Sequence, residues 1–275
     1  MRKLYHGPTS VCSQKVRVAL AEIGLDYESQ MLDLQKGDQF APAYMRLNPE
    51  AVVPTLIDRD LVLVESSLIA EYLDKTYNGS AFMPDDPGLE MRVRHWLLRC
   101  LAVHAAINTL SFSTFMRDKA LETKSLKEIE AAISRMPDPV LRAKRRDLYA
   151  NALKSDHVAQ ALRHLLRTFE DMSEHIGGGA WVSGPAFGLA DIGLVSYIDR
   201  LDRLGFSGLW TDDFPMIATW LDAMRARTSY AVAIAEFIPE ATALAQRAGG
   251  AVHWPMLALR WRETIAESER STAAS

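Results

Sequence analysis

A change of pattern near residue 85 divides the sequence into two parts that follow different structural rules. Residues 1–80 alternate short apolar runs with amphipathic ones, whereas the chain beyond a turn-rich stretch at residues 84–88 has an almost entirely helical period. The order of the first part is β-α-β-α-β-β-α, which predicts a mixed four-stranded sheet covered by helices. We therefore expect an α/β domain over residues 1–82, an all-α domain over residues 89–265, and a disordered polar tail over residues 266–275.

Composition argues against several classes of partner. The chain has 275 residues, 48% of them hydrophobic, and its net charge of -4 lacks the excess of basic residues that is typical of nucleic-acid binding. The basic run at residues 142–146 is interpreted as a solvated helix face. No apolar run approaches the roughly 20 residues of a membrane span, and no apolar signal core is present, so we expect a cytoplasmic protein without a membrane partner. Cys12 and Cys100 have no metal-binding spacing, so we expect free thiols and no metal.

The segment at residues 4–17 holds the densest group of chemically useful side chains. A short strand, a Gly-Pro turn and a helix over residues 13–23 are predicted here, which places Ser10, Cys12 and Ser13 on a loop that opens into a helix. Backbone amides at a helix start favour an anion, so two hydroxyls and a thiol stand where a thiolate or carboxylate can be held. An ordinary helix cap explains the same hydroxyls equally well.

Two further motifs lie later in the first part. Pro54 opens an apolar strand, where its missing N–H removes no ladder hydrogen bond, and Glu65 with Ser66 opens the helix that follows the hairpin. Together with the Ser-x-Cys-Ser segment, these motifs resemble the glutathione transferase superfamily, and the resemblance extends over essentially the whole chain. It implies a thioredoxin-like N-terminal domain, an all-helical C-terminal domain, glutathione as cosubstrate, and a homodimer.

The resemblance also assigns residues to glutathione. Val53 would pair with the cysteinyl part through its own N–H and C=O, next to a Val53–Pro54 bond that is cis in the family. Glu65 would meet the γ-glutamyl ammonium, and Ser66 with the helix N-terminus would meet its carboxylate. Gln39 matches a position that contacts glutathione in related enzymes.

Three residues compete to act on the glutathione sulfur. Ser10 matches the activating serine of theta-like members, and a hydroxyl that donates one hydrogen bond to the thiolate stabilises it by about 1.5 to 3 kcal/mol, or one to two pKa units. Ser13 matches a serine of bacterial β-etherases. Cys12 resembles the cysteine with which omega-like and reductive-dehalogenase-like relatives form a mixed disulfide. Ser10 is the favoured activator, and the other two stay open.

Several functions follow from the resemblance. Residues 46–54 resemble bacterial tetrachlorohydroquinone reductive dehalogenases and, less closely, zeta-class maleylacetoacetate isomerases, whereas residues 136–146 resemble bacterial lignin β-aryl-etherases. The favoured function is a glutathione S-transferase of aromatic compound catabolism or detoxification, in which the thiolate attacks a small hydrophobic aromatic electrophile by ether cleavage or dehalogenation. The alternatives are a glutathione-dependent isomerase or a thiol reductase built on Cys12, and a non-catalytic glutathione-fold binding protein.

The substrate pocket is assigned to the helix predicted over residues 89–115, which in this fold passes over the glutathione sulfur. The candidates lie at helical spacing on one side of it: His104, Asn108, Ser111, Phe112 and Phe115. Asp191, behind Gly188, resembles the capping box of the family's core helix and is expected to bond loop amides alone. Residues 252–256 are expected either to lid the pocket or to cover a core edge.

Overall fold

A computed structural model describes residues 1–177 and 179–273 and begins with a four-stranded sheet. The strands are β1 (Lys3–His6), β2 (Glu28–Met31), β3 (Thr55–Asp58) and β4 (Leu61–Leu63), and the helices among them are α1 (Val11–Ile23), α2 (Pro42–Met45) and α3 (Ser66–Tyr77). The spatial order is β2-β1-β3-β4, with β1 parallel to β2 and the other pairs antiparallel. The predicted mixed sheet with its β-α-β-α-β-β-α order is confirmed.

Helices α1 and α3 pack together against this sheet. The contact is apolar: Leu4 and Leu56, paired across β1 and β3, are fully buried together with Leu20 and Leu73 of the helices. Burying each such side chain contributes roughly 1.5 to 3 kcal/mol, which holds α1 and α3 against the sheet.

The chain after residue 86 is helical. Its helices are α4 (Pro87–Ser113), α5 (Phe115–Thr123), α6 (Leu126–Ser134), α7 (Pro139–Asn151), α8 (Asp156–Gly177), α9 (Leu189–Arg203), α10 (Met216–Arg225), α11 (Thr228–Ala233), α12 (Glu240–Ala251) and α13 (Trp254–Ala273). Helix α4 packs against α8 and α9, and α9 also contacts α1 of the sheet domain, so the predicted all-α second part is confirmed. None of the described helices is both long enough and apolar enough to cross a membrane.

Asp191 anchors the central helix α9 with more partners than the sequence indicates. Its carboxylate is fully buried and accepts from the amides of Val182 at 2.8 Å and Gly188 at 3.1 Å, as expected. It also accepts from Trp220 Nε1 at 2.8 Å, so the expectation of loop amides alone is wrong. Glycine is required at 188 because a Cβ there would lie 2.5 Å from the carbonyl oxygen of Phe82.

The end of α4 and the end of the chain differ from expectation. Thr114 leaves the helical region, with φ −131° and ψ −119°, so α4 stops at Ser113 and Phe115 begins a new helix. Residues 266–273, expected to be disordered, continue α13, whose Leu257 and Trp261 are buried against the bundle. Residues 274 and 275 lie outside the described range.

The segment at residues 252–256 covers a core edge. Trp254 stacks on Phe206 with ring centroids 6.4 Å apart, and its ring fills the space beside Gly208, where a Cβ would come within 2.1 Å of it. His253 Nε2 lies 2.6 Å from Asp118 Oδ2 and so joins the segment to α5. None of its residues lines the cavity described below.

Candidate active site

A cavity of about 840 Å³ separates the sheet domain from the helices. Its sheet-domain side consists of residues 8–11, 31–40 and 50–53, and its helical side is formed by α4 to α7 with single residues of α9 and α12. The structure brings seven of the predicted site residues to this cavity: Ser10, Gln39, Val53, His104, Asn108, Ser111 and Phe112. The sequence regions assigned to glutathione and to the substrate therefore share one cavity.

Ser10 is the N-cap of α1, which starts two residues earlier than predicted. Its Oγ accepts from the amide of Ser13 at 3.3 Å, and its backbone is extended, with φ −68° and ψ 121°. A hydroxyl has one donor and two acceptor positions, so the cap leaves the O–H of Ser10 free to donate. The amides of Val11 and Cys12, in the first turn, add the positive end of the helix dipole.

Two buried arginines hold the loop that precedes Ser10. Arg17 donates to the carbonyl oxygens of Gly7 at 3.2 Å and Pro8 at 2.8 Å, and Arg200 of α9 donates to that of Thr9. Burial lowers the pKa of Arg17 to about 10. Because three successive carbonyls are bound, the cap residue that follows them is fixed in position. No role for either arginine was predicted from the sequence.

Ser13 belongs to the framework of this turn. It is fully buried, and its Oγ accepts from the amide of Gly7 at 3.2 Å. It does not line the cavity. Its contacts therefore fasten the loop to the helix and do not place its hydroxyl beside a ligand.

Cys12 lies on the other side of the α1 start, at the junction with the helical domain. Its Sγ is 3.7 Å from the hydroxyl of Tyr197, over whose ring Lys15 Nζ sits at 5.0 Å. Burial raises the pKa of the Cys12 thiol, but the charge and hydrogen bond of His104, with Lys15 and Tyr197, outweigh it and bring the pKa to about 6. A thiol of ordinary pKa near 8.5 is mostly protonated at neutral pH, whereas this one is mostly thiolate.

His104 of α4 is the partner of that thiolate. The Cys12 charge raises the pKa of His104, burial opposes it, and Glu65 adds to the rise. Its ring centroid is 6.0 Å from that of Tyr197. The His104 side chain thus lines the cavity and interacts with the Cys12 thiol, and its positive charge favours the thiolate form of Cys12.

The Val53–Pro54 bond is cis, as the family resemblance implies. The turn is held by two donors to the carbonyl oxygen of Val52, from Tyr44 Oη at 2.5 Å and Asn48 Nδ2 at 3.0 Å. The ladder of β3 begins only at Thr55, so Val53 reaches the cavity before its chain enters the sheet. A backbone outside the sheet ladder at a cavity wall has its N–H and C=O available to pair with another peptide backbone.

The other residues predicted to contact glutathione differ in burial and in whether they line the cavity. Gln39 lines the cavity, and its Oε1 is buried without a partner among the described residues, which leaves an acceptor for an N–H of a bound peptide. Ser66 starts α3 and is buried, while Glu65 before it is exposed and has a strained φ of 68°. Glu65, Ser66 and Pro54 are not among the cavity-lining residues. Contact of Gln39, Val53, Glu65 and Ser66 with glutathione stays a prediction.

Phe115 is the predicted pocket residue that the structure does not place with the others. Because α4 ends at Ser113, its ring turns toward α12, where a Cβ on Gly249 would be 2.6 Å from it. Conversely, Arg145 and Tyr149 of α7 line the cavity and were missed, since the basic run was interpreted as a solvated face. Within the described residues, no group of three His, Cys, Asp or Glu side chains is arranged for a metal.

Comparison with known families agrees with this geometry. The sequence model for the glutathione S-transferase N-terminal domain matches residues 2–75, and the model for the C-terminal domain matches residues 155–223. These ranges include the start of α1, the cis turn and the Asp191 anchor.

Individual relatives match either most of the chain or its first part alone. The tetrachloro-p-hydroquinone reductive dehalogenase of Sphingobium chlorophenolicum is 26% identical over 236 residues, which are 84% of this chain and 94% of that protein. Glutathione S-transferase Z1 of Arabidopsis thaliana is 44% identical over 84 residues, which are 30% of this chain and 38% of that protein. The crystal structure of the β-etherase LigF from Sphingobium sp. strain SYK-6 superposes with a TM-score of 0.73 at 25% identity and covers 86% of this chain and 99% of that one. The chain therefore belongs to the glutathione S-transferase family, whose enzymes use glutathione as cosubstrate.

Proposed function

We propose that this enzyme attaches glutathione to a small aromatic electrophile and displaces a phenol or a halide from it. The observation that carries the proposal is the single cavity shared by Ser10, Gln39 and Val53 from one domain and by Asn108 and Phe112 from the other. A thiolate held at Ser10 would face aromatic and polar side chains of α4. The relatives named for dehalogenation and ether cleavage support the same class of reaction.

Ser10 is the proposed activating residue. Its O–H is free to donate and Ser10 lines the cavity, whereas Ser13, whose Oγ accepts from the Gly7 amide, does not line it. The sulfur loses its proton to solvent, the Ser10 O–H stabilises the thiolate, and the sulfur then attacks the carbon that carries the leaving group. Ser13 acts by positioning Gly7 and the loop.

A second function, a thiol reductase built on Cys12, is favoured by the Cys12–His104 pair. In this reaction the Cys12 thiolate attacks the glutathionyl sulfur of a mixed disulfide and expels the substrate as a thiolate. A glutathione thiolate then attacks the Cys12 disulfide, regenerates Cys12 and leaves as oxidised glutathione, so bonds and electrons balance. The low pKa of Cys12, about 6, is what this chemistry needs. Residues 46–54 resemble zeta-class isomerases, so glutathione-dependent isomerisation is assayed together with these two reactions.

One set of assays separates these functions. Glutathione binding is measured by calorimetry, followed by turnover of a β-aryl ether, a halogenated hydroquinone, a maleylacetoacetate analogue and a glutathionyl disulfide. Displacement predicts that Ser10→Ala loses activity while Cys12→Ala retains it, and the reductase predicts the reverse. If neither variant changes any activity, both assignments fail.

We also propose a cytoplasmic homodimer. Exposed leucine and methionine side chains form a stripe on α4, where Met91, Leu98 and Leu101 are 64%, 71% and 60% exposed. A second copy of this chain is the proposed occupant, as the family resemblance implies. Sedimentation should give twice the chain mass of 30.7 kDa, and Leu98→Arg should give a monomer. A monomeric parent protein would refute the proposal.

A further inference from the structure

Arg145 of α7 places a cation at the helical end of the cavity. Its guanidinium lies over the ring of Phe112, 3.2 Å from the centroid, and its Nη2 donates to Asn108 Oδ1 at 3.3 Å. Burial lowers the pKa of Arg145 to about 10, which still leaves it charged at neutral pH. A guanidinium has five N–H donors, and one hydrogen bond and one ring face do not satisfy them.

No carboxylate among residues 1–177 and 179–273 forms a salt bridge with Arg145. Three aspartates of the cavity wall have other partners. Asp33 pairs with Lys36 at 3.2 Å, Asp38 accepts from the amide of Asp33 at 2.8 Å, and Asp138 caps α7 through the amide of Val140 at 2.7 Å. The neighbouring Arg146 contrasts with Arg145, because it points outward and pairs with Glu130. The described residues therefore leave this half-buried cation without a paired carboxylate.

Other side chains near Arg145 also offer hydrogen-bond donors. Asn108 turns its Oδ1 to the guanidinium and therefore keeps its NH₂ group for a further acceptor. Tyr149 lines the cavity on the same helix, one turn from Arg145, and its hydroxyl can donate. Arg145, Asn108 and Tyr149 together offer hydrogen-bond donors and positive charge, which is what an oxyanion requires. Arg200 adds a second positive charge near Ser10, where it binds the Thr9 carbonyl and its Nε is buried without a partner in the described part of the chain.

The distance between the two ends of the cavity follows from helix α4. His104, Asn108 and Phe112 are successive residues on one face, each about 6 Å further along the axis. His104 adjoins the start of α1, and Arg145 contacts the other two. An aromatic ring with its reacting carbon near Ser10 has room to direct a substituent on its far side toward Arg145.

We propose that Arg145, with Asn108 and Tyr149, binds an anionic oxygen of the electrophilic substrate, a carboxylate or a phenolate on the aromatic ring. The proposal rests on the glutathione transfer function above and specifies its substrate: neutral aromatic electrophiles are poor substrates, and their acidic counterparts are good ones. Carboxylate and phenolate share the recognition chemistry, and the experiment distinguishes them.

The test measures the affinity of unreactive ligands by fluorescence titration in the presence of glutathione. The probes are 2-naphthoate, its neutral isostere 2-naphthamide, and 4-nitrophenolate above the pKa of its phenol. A charge-assisted hydrogen bond is worth about 10- to 100-fold in affinity, so the parent protein should prefer naphthoate to naphthamide by about that factor. Arg145→Met should abolish the preference, and Arg145→Lys should keep part of it.

The matched control is Arg146→Met, which removes a cation from the adjacent exposed position and should leave the preference intact. Calorimetric glutathione binding checks that each variant is folded. Equal affinity of the parent protein for naphthoate and naphthamide, or a preference that survives in Arg145→Met, overturns the proposal. If 4-nitrophenolate binds more strongly than naphthoate, the anionic group that Arg145 recognises is a phenolate. Because the probes do not react, failure of glutathione transfer appears separately, as a lack of turnover with every electrophile.

Discussion

Replacing Ser10 should raise the pKa of bound glutathione without preventing its binding. The thiol of free glutathione resembles that of free cysteine, with a pKa of about 8.5. One charge-assisted hydrogen bond from the Ser10 hydroxyl stabilises the thiolate by about 1.5 to 3 kcal/mol, which lowers that pKa to about 6.5 to 7.5. In Ser10→Ala the pKa should return to about 8.5. The thiolate fraction at pH 6.5 should then fall by about 10- to 50-fold, and the difference should vanish above about pH 9.5.

The assay is titration of the thiolate ultraviolet absorbance of the bound glutathione, with the rate of displacement measured on the same samples. Ser10 is also a helix cap, and alanine at this position costs about 1 kcal/mol of stability, whereas glycine costs only a few tenths. Ser10→Gly should therefore shift the thiol pKa as much as Ser10→Ala while leaving the protein nearly as stable. Comparing Ser10→Ala with Ser10→Gly therefore separates the change in the thiol pKa from the change in protein stability.

Ser13→Ala is the matched control on the same turn. It removes the acceptor of the Gly7 amide and should lower the free energy of unfolding by about 1 to 3 kcal/mol, with no change in the glutathione pKa. The reasoning is refuted if both Ser10 variants retain the parent thiol pKa, or if Ser13→Ala shifts it by as much as they do.

Three further predictions concern other parts of the molecule. Alkylation of Cys12 by iodoacetamide should rise with pH through a midpoint of about 6, and His104→Asn should move that midpoint upward, because it removes the cation that favours the thiolate; an unmoved midpoint contradicts the pairing. Asp191→Ala should lower the free energy of unfolding in urea by about 3 kcal/mol or more, since it leaves buried amides and an indole N–H unpaired. Gly250→Ala should lower the free energy of unfolding by about 1 to 3 kcal/mol, because its Cβ would lie 2.0 Å from the Leu204 carbonyl oxygen. Gly177→Ala is the control: its Cβ would meet open space, so the free energy of unfolding should change by no more than about 0.5 kcal/mol. Equal effects of the two substitutions in thermal melts would contradict this packing.

Local patterns predicted those parts of the fold that depend on neighbouring residues. Strand alternation gave the mixed sheet, and the Gly188–Asp191 motif gave the anchored start of α9. The site residues Ser10 and Val53 could be assigned because a helix start and a strand-opening proline are short-range features.

The rest depends on contacts that are distant in sequence. Trp220 reaches Asp191 from another helix, and Arg200 reaches the Thr9 carbonyl from 191 residues away. Arg145 could not be told from its neighbours because charge alone does not show which residue of a basic run faces inward. The helix period distinguishes them only when the position of α4 is known, since Phe112 and Asn108 are what cover Arg145.

The attachment of α5 has a consequence for how substrates enter and products leave. This helix is fastened at its first turn by Phe115 against Gly249 and by Asp118 against His253, so that wall resists displacement. The loop of residues 33–40 is joined to the helices by weaker contacts: Arg135, just after α6, donates to the Gly37 carbonyl at 3.3 Å and lies over Phe40, and Lys124, just after α5, donates to the Gln35 carbonyl at 3.5 Å. We expect bulky conjugates to leave past this loop, so that its displacement would govern product release.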